Sequence, residues 1–434
     1  MLEAYDNVGL YLYESKALGI MNSQYPSPDD LDRESLLKTS VSAFLSQPVG
    51  FVKRIKDIRT RQLAVAACIE VFGLLAFLWR SDPYSRSSSP IHGEVDWRDI
   101  TNQRQTLFKT LTEDQCDVLF HPLYVEIYRA ALYWKGRGGI TREDIDTSVP
   151  TSNAHLLLYD NQLYVKFFQN CYHSRALAQV ALINEAISTS PKRLPNIEFT
   201  IRVNDWPEYV KKLPFWELSR EGDVSHVWLQ PDFGFYSWPE PGVGSFQEVM
   251  HKATKHEKDS SGWHGKKKKL FWKGNMGMNA LRKALAAAAP NTSWGDIHDM
   301  VWSKKEARLV MTTDDHCDFK YLAHVEGHSY SGRLNINSDV TSPDQNTVVI
   351  PGHNWDQLPD VMESLLADDG RAKRIADNSY EFWRYWNSPA ATSCYLRQMF
   401  RSWAVLQKFE PVLSYNDTAY NSFDLMRKTD WVPH

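Results

Sequence analysis

Apolar and polar positions alternate with period two over residues 197–203, where Ile197, Phe199, Ile201 and Val203 interleave with Glu198, Thr200 and Arg202. That period predicts a strand, and Pro207 in the following NDWPEY stops it. Asp205 therefore stands just past the carboxyl end of a strand, where open α/β sheets bind their ligands. Upstream, HLLLYDNQLYV (155–165) reads as a hairpin turning at Asp160 and Asn161. Ser174 then caps a helix that carries Leu177, Val180, Ile183 and Ile187 on one face. Downstream, HVWLQPDFGFYSWPEP (226–241) predicts a strand leaving into an aromatic loop, followed by a helix and a charged linker, HEKDSSGWHGKKKK.

A second set of elements begins after that linker. LFWKG predicts a strand, Gly274 to Gly277 a loop, and Asn279 the cap of the helix ALRKALAAAA. The lysine run 266–269 reads as a solvated lead-in to the strand. YLAHV predicts another strand, ending at Gly327, and helices over 355–368, 371–386 and 391–408 close the chain. Strand–helix alternation in two sets argues for an α/β protein built of two Rossmann-like halves with a cleft between them.

The earlier part of the chain follows a different pattern. LAVAACIEVFGLLAFLW (63–79) carries one charge, Glu70, and is preceded by Lys53, Arg54, Lys56, Arg59 and Arg61. Its length is at the short limit for a membrane-spanning helix, and the flanking charges orient it as a signal anchor with its amino-terminal side in the cytosol. SDPYSRSSSP (81–90) continues as a polar stem. The expected organisation is a cytosolic tail (1–62), a transmembrane signal anchor (63–79), a stem (80–130), an N-terminal domain (131–262) and a C-terminal domain (263–434).

Composition narrows the function classes. The chain has 434 residues, with 49 Lys plus Arg against 53 Asp plus Glu, so no basic field points to nucleic acid. Sixteen Trp, twenty Tyr and nineteen Phe supply aromatic surface of the kind that stacks on sugar rings as well as filling cores. Five cysteines without a CxxC are too few for a disulfide scaffold or a zinc ribbon. Cys116, Cys171, Cys317 and Cys394 are left to pair if the chain enters an oxidising lumen. NTS at Asn291 and NDT at Asn416 are N-glycosylation triplets that fit such a lumen.

Several candidate chemistries can be weighed residue by residue. DID at Asp144 to Asp146 has the letters of a metal-binding DxD, but the GRGGITRE before it has no strand character. HVEGH places His324 and His328 four apart, a zinc spacing only on a helix, and the sequence there reads as a strand. No metal site is expected. The stronger constellation is spread along the chain. Asp205 lies at one strand end, while FWKGNMGMNALR and HVEGHSYSGRL form two glycine-containing strand–loop–helix junctions ending in Arg282 and Arg333. Loop N–H groups, a helix start and a guanidinium suit a diphosphate.

At these residues the chain resembles the capsule-associated-protein glycosyltransferases, glycosyltransferase family 90, a group that includes fungal xylosyltransferases and animal protein O-glucosyltransferases. The resemblance rests on WKGRGGITREDID, NIEFTIRVNDWP, PDFGFYSWPEP, KLFWKGN, HCDFKYLAHVEGHSYSGRL, RIADNSYEFW and CYLRQMF, in that order between about residues 130 and 410. It implies a GT-B architecture and an inverting, metal-independent transfer from a UDP-sugar, with no cofactor beyond that donor. Asp205 matches the general base. Lys273, Gly274, Asn275, Arg282, Gly327, Ser331 and Arg333 fall on the UDP-sugar elements, and Trp206, Phe235 and Trp238 on the acceptor side. The implied partners are UDP-xylose or UDP-glucose, a glycan or protein acceptor, and a Golgi or ER membrane held by a single type II anchor.

After SGRL the pattern departs from the family. Relatives continue with a helix and a strand bearing a cysteine, whereas this chain passes into NINSDVTSPDQNTVVIPGHNWDQL, which is poor in helix formers. A segment of the C-terminal domain is thus missing after Leu334. The implied partner of Cys317 lies in that segment, which leaves Cys317 as a free thiol. Three readings stay open: a working transferase with a shortened donor half, a membrane-tethered binding relative without turnover, and the product of an incorrectly spliced transcript.

Overall fold

The computed structural model describes residues 10–14, 109–168, 173–207, 211–221, 224–240, 242–260, 262–289, 293–300, 314–327, 329, 345–350, 355–414 and 417–429. The anchor expected over 63–79, the tail and stem around it (residues 10–14 and 109–130 aside), Ser331, Arg333, Asn291 and Asn416 lie outside them. Among the described residues no helix is long and apolar enough to cross a membrane.

The described chain is mixed α/β with two five-stranded sheets. In chain order the main elements are β1 (Leu10–Glu14), α1 (Glu113–Phe120), α2 (Val125–Gly136), α3 (Arg142–Ser148), β2 (Ala154–Tyr159), β3 (Gln162–Phe167), α4 (His173–Ser188), β4 (Ile197–Ile201), β5 (Trp216–Glu217) and β6 (Trp228–Leu229). They continue as α5 (Phe246–Ser260), β7 (Lys267–Gly274), α6 (Ala280–Ala288), β8 (Gly295–Asp299), β9 (Phe319–His324), β10 (Val348–Ile350), α7 (Leu358–Ala367), α8 (Asp369–Trp386), α9 (Pro389–Leu406) and α10 (Tyr420–Thr429).

The first sheet has the order β3-β2-β4-β5-β6. The β2–β3 hairpin is antiparallel, and Asp160 and Asn161 turn it with positive φ values of 50° and 62°. Asp and Asn tolerate that left-handed conformation better than other non-glycine residues, which is why they mark the turn in the sequence. β4 then runs parallel to β5, and β5 to β6. This half is therefore only partly Rossmann-like.

Alternation correctly locates β4, but both of its faces are buried, including Glu198 and Thr200. The covering is polar. Arg142 on α3 holds Glu198 through two hydrogen bonds of 2.5 and 2.8 Å, His155 adds one at 2.9 Å, and Ser148 meets Thr200 at 2.8 Å. On the apolar face Phe199 stacks on Trp216 at 4.0 Å, and Trp403 from α9 closes on both.

Helix α9 belongs physically to this first half, although the sequence boundary at 262 grouped it with the second. It packs against α1, α2, α4 and β4, and the disulfide Cys116–Cys394 joins it to α1. Arg397 on α9 is buried and donates to the carbonyls of Ala186, Leu111 and Lys109 and to the Thr189 hydroxyl. Burial pulls its guanidinium down to about 10.

The second sheet is all parallel, in the order β10-β1-β9-β7-β8. Its core gathers Trp272, Tyr321, Trp355, Leu358 and Met362, all fully buried. The shortened sequence after Leu334 predicts an opened core here. Instead β1, from the amino-terminal segment, lies between β9 and β10.

Three local expectations are corrected. The charged linker is helical through Ser260, because α5 continues across it. The lysine run is not uniformly solvated: β7 starts at Lys267, and Lys266 is buried with its ammonium on the Cys317 carbonyl. Ser174 is not a cap, since α4 begins at His173 and the Ser174 hydroxyl bonds Glu240.

Candidate active site

Strand β4 ends at Ile201, and the chain bends four residues later at Asp205. The Asp205 side chain is 42% exposed, and its Oδ1 accepts a 2.7 Å hydrogen bond from Nη1 of Arg175 in the first turn of α4. Arg175 is itself held over the rings of Phe233 and Trp238, at 5.3 and 5.5 Å from their centroids. Those rings meet edge to face at 5.2 Å. The loop that carries them is shaped locally. Asp232 accepts the Gly234 N–H at 2.6 Å, and Trp238 exchanges backbone hydrogen bonds with Val243 at 2.8 and 2.9 Å. A carboxylate with one oxygen fixed by a guanidinium keeps the other available for a proton. Trp206, 58% exposed, and the half-buried Phe235 and Trp238 add aromatic surface around it.

The second sheet contributes loops at the carboxyl ends of its strands. After β7, the Asn275 side chain accepts the Gly277 N–H at 2.7 Å, and Asp299 at the end of β8 accepts the Met276 N–H at 2.8 Å. Asn279 then caps α6 through the Arg282 N–H at 3.1 Å, as its position in the sequence predicts. Its amide also donates to the carbonyls of Glu326 and Gly327, at 2.9 and 2.8 Å. Arg282 does the same work from one turn further on. Its Nε donates to Glu326 at 2.8 Å and its Nη1 to Asn275 at 3.1 Å, while the guanidinium lies 5.5 Å from the Trp272 ring. Burial lowers the Arg282 pKa from its ordinary value. The same indole fixes Gly274, where an added Cβ would come within 2.8 Å of the ring. Two side chains of α6 and its cap thus stitch the loop after β7 to the loop after β9.

The two walls meet at Ser329. Its hydroxyl donates to the backbone carbonyl of Asp205 and receives a 3.1 Å hydrogen bond from Ser219. Asp205, Asn275 and Gly327 are therefore parts of connected loops at strand ends, with Gly274 at the end of β7, Arg282 in the first turn of α6, and Lys273 half-buried one residue before Gly274. Sequence reasoning missed Arg175, Ser219 and Ser329. Arg175 left a signal, because arginine in the first turn of a helix opposes the helix dipole and needs a local anion.

Other candidates resolve into structural parts. Asp144 closes a capping box with Thr141, and Asp146 pairs with Arg142 at 3.9 Å. His324 is a buried residue of β9.

A family model, Glycosyl transferase family 90, matches residues 114–336, more than half of the chain. The chain belongs to glycosyl transferase family 90. The matched span contains Asp205 and both junction loops, and it ends two residues past Leu334, where the sequence pattern breaks. No curated protein matches the chain.

Proposed function

We propose that this family 90 glycosyltransferase moves xylose, or alternatively glucose, from a UDP-sugar to a hydroxyl of a glycan or protein, with inversion and without a metal. One observation carries the reading: the Asp205 backbone past the end of β4 is tied through Ser329 to the loop after β9, which Asn279 and Arg282 join to the loop after β7. Asp205 takes the acceptor proton as that oxygen attacks the anomeric carbon. The C–O bond to the β-phosphate breaks, and its electron pair leaves with UDP. Arg175 holds the carboxylate in place, and the loops after β7 and β9, which Arg282 stitches together, flank the charge that develops on the leaving group. Lys273, Ser331 and Arg333 complete the diphosphate side in this reading, with Trp206, Phe235 and Trp238 shaping the acceptor side.

The compartment we propose is the lumen of the Golgi or ER. The Cys116–Cys394 disulfide supports it, since such bonds persist where the milieu is oxidising.

A second reading, a binding relative without turnover, is favoured by Arg282, whose guanidinium is engaged by two backbone carbonyls of its own loops. Calorimetry of the full chain with UDP, combined with release of UDP from UDP-xylose and UDP-glucose in the presence of acceptor, decides between them. A transferase binds UDP and turns over, and Asp205→Asn abolishes turnover alone. A binding relative shows no turnover that Asp205→Asn can reduce.

A further inference from the structure

β9 and β10 are successive strands of the second sheet, yet they are not neighbours in it. The order β10-β1-β9-β7-β8 leaves a position one strand wide between them, filled by residues that precede β9 by about three hundred positions. The pairing is continuous on both sides. Leu10, Tyr11, Leu12 and Tyr13 oppose Tyr321, Leu322, Ala323 and His324, while Leu12, Tyr13 and Glu14 oppose Val348, Val349 and Ile350. Both pairings are parallel, the only direction that continues this sheet without a break.

The slot demands an occupant. All six residues of β9 are buried, and so are Val348 and Ile350. Without a strand between them, the facing N–H and C=O groups of β9 and β10 would have no partners in a dry core, at about 1–3 kcal/mol for each. The sequence LYLYE suits the place. It is a short apolar and aromatic run, as strands buried on both faces are, and its charged residue comes last, at the carboxyl edge. Helix α8 packs against the same strand.

We infer that the second sheet of this protein is a strand-acceptor surface whose partner is the chain's own segment Leu10–Glu14. The segment supplies the inner strand that the shortened sequence after Leu334 does not. The inference does not depend on the proposed reaction. It has one topological consequence. A single membrane crossing at 63–79 would put residues 10–14 and the sheet on opposite sides of the bilayer, so the strand pairing and that crossing exclude each other.

Hydrogen exchange on the full chain tests this directly. Amides 10–14, 321–324 and 348–350 are expected to be protected together, and Leu12→Pro, which removes a ladder donor from a central strand, to expose all three segments. Ser23→Pro, outside the paired register, should leave them protected. If Leu12→Pro fails to fold, the double variant Leu12→Cys with Ala323→Cys still answers, because the two positions face each other in register. An intramolecular disulfide between the two introduced cysteines, found by peptide mapping of monomeric protein, supports the inference. A covalent dimer carrying the same link would overturn it in favour of strand exchange between two copies. Fast exchange at 10–14 without any link would overturn it outright. None of these readouts uses UDP or turnover, so a failure here is separable from a failure of the transferase reading.

Discussion

The two sheets solve the same problem, burying a central strand on both faces, by opposite means. The first is assembled mainly from nearby sequence and sealed by polar contacts: a hairpin, the Arg142–Glu198–His155 cluster, and the ion pairs of Glu126 with Arg220 and Arg129. Its longest-range contacts come from α9, held by a disulfide and by Arg397. The second is parallel and mostly apolar, and its inner strand comes from the far end of the chain. The lesson is that a local sheet tolerates buried charge by pairing it, while a parallel sheet depends on contacts distant in sequence. Asp205 stands on the locally built half, and the loops proposed for the diphosphate on the other.

That division can be broken experimentally. The largest effect is expected from Asp205→Asn, which should lower turnover by about 10²–10⁴-fold while UDP affinity in calorimetry stays the same. A parallel loss of UDP binding would mean that the two walls do not act separately. Cys116→Ser should destabilise the first half by about 2–5 kcal/mol, read as a lower urea midpoint. A reductant should reproduce the shift in the parent protein and add nothing in the variant.

Arg282→Ala should weaken UDP binding by about ten- to a hundredfold, because it removes charge-assisted hydrogen bonds of about 1.5–3 kcal/mol from the loop stitching. The urea midpoint of the first half should barely move. The pH dependence of stability sharpens the contrast further. Burial pushes the Glu198 carboxyl up, but hydrogen bonds from His155 and Arg142 outweigh it and hold its pKa below the ordinary 4.5. Below that value the unfolded chain binds more protons than the folded one. Stability from this cluster is therefore complete above 4.5 and is lost as the pH falls through the lowered value. Urea titrations between about pH 6 and 3 should show the decline, and Glu198→Gln should flatten it. The smallest change is expected from Trp206→Ala, under about 0.5 kcal/mol in stability because the side chain is largely exposed. Its effect should appear instead as a raised KM for acceptor.

Much of the local structure is legible along the chain. Asp160 and Asn161 announce the hairpin turn because few other residues accept positive φ. Asn279 announces the start of α6 because a short side chain there can accept a helix N–H. Pro207 and the alternation before it put Asp205 beyond a strand end. The sequence by itself therefore determined an α/β protein with two sets of strands, the family 90 motifs, and the positions of the candidate base and the glycine loops. Periodicity reports only whether a face is covered by apolar side chains. It could not show that arginine and histidine cover the polar face of β4, that Lys266 is buried on a carbonyl, or that Arg282 is turned onto its own loops. Only the tertiary structure decided those, together with the return of α9 to the first half and the entry of residues 10–14 into the second sheet. The reason is common to most of them: each depends on a partner tens to hundreds of residues away, and local pattern carries no information about which distant group will satisfy a buried charge or an open strand edge.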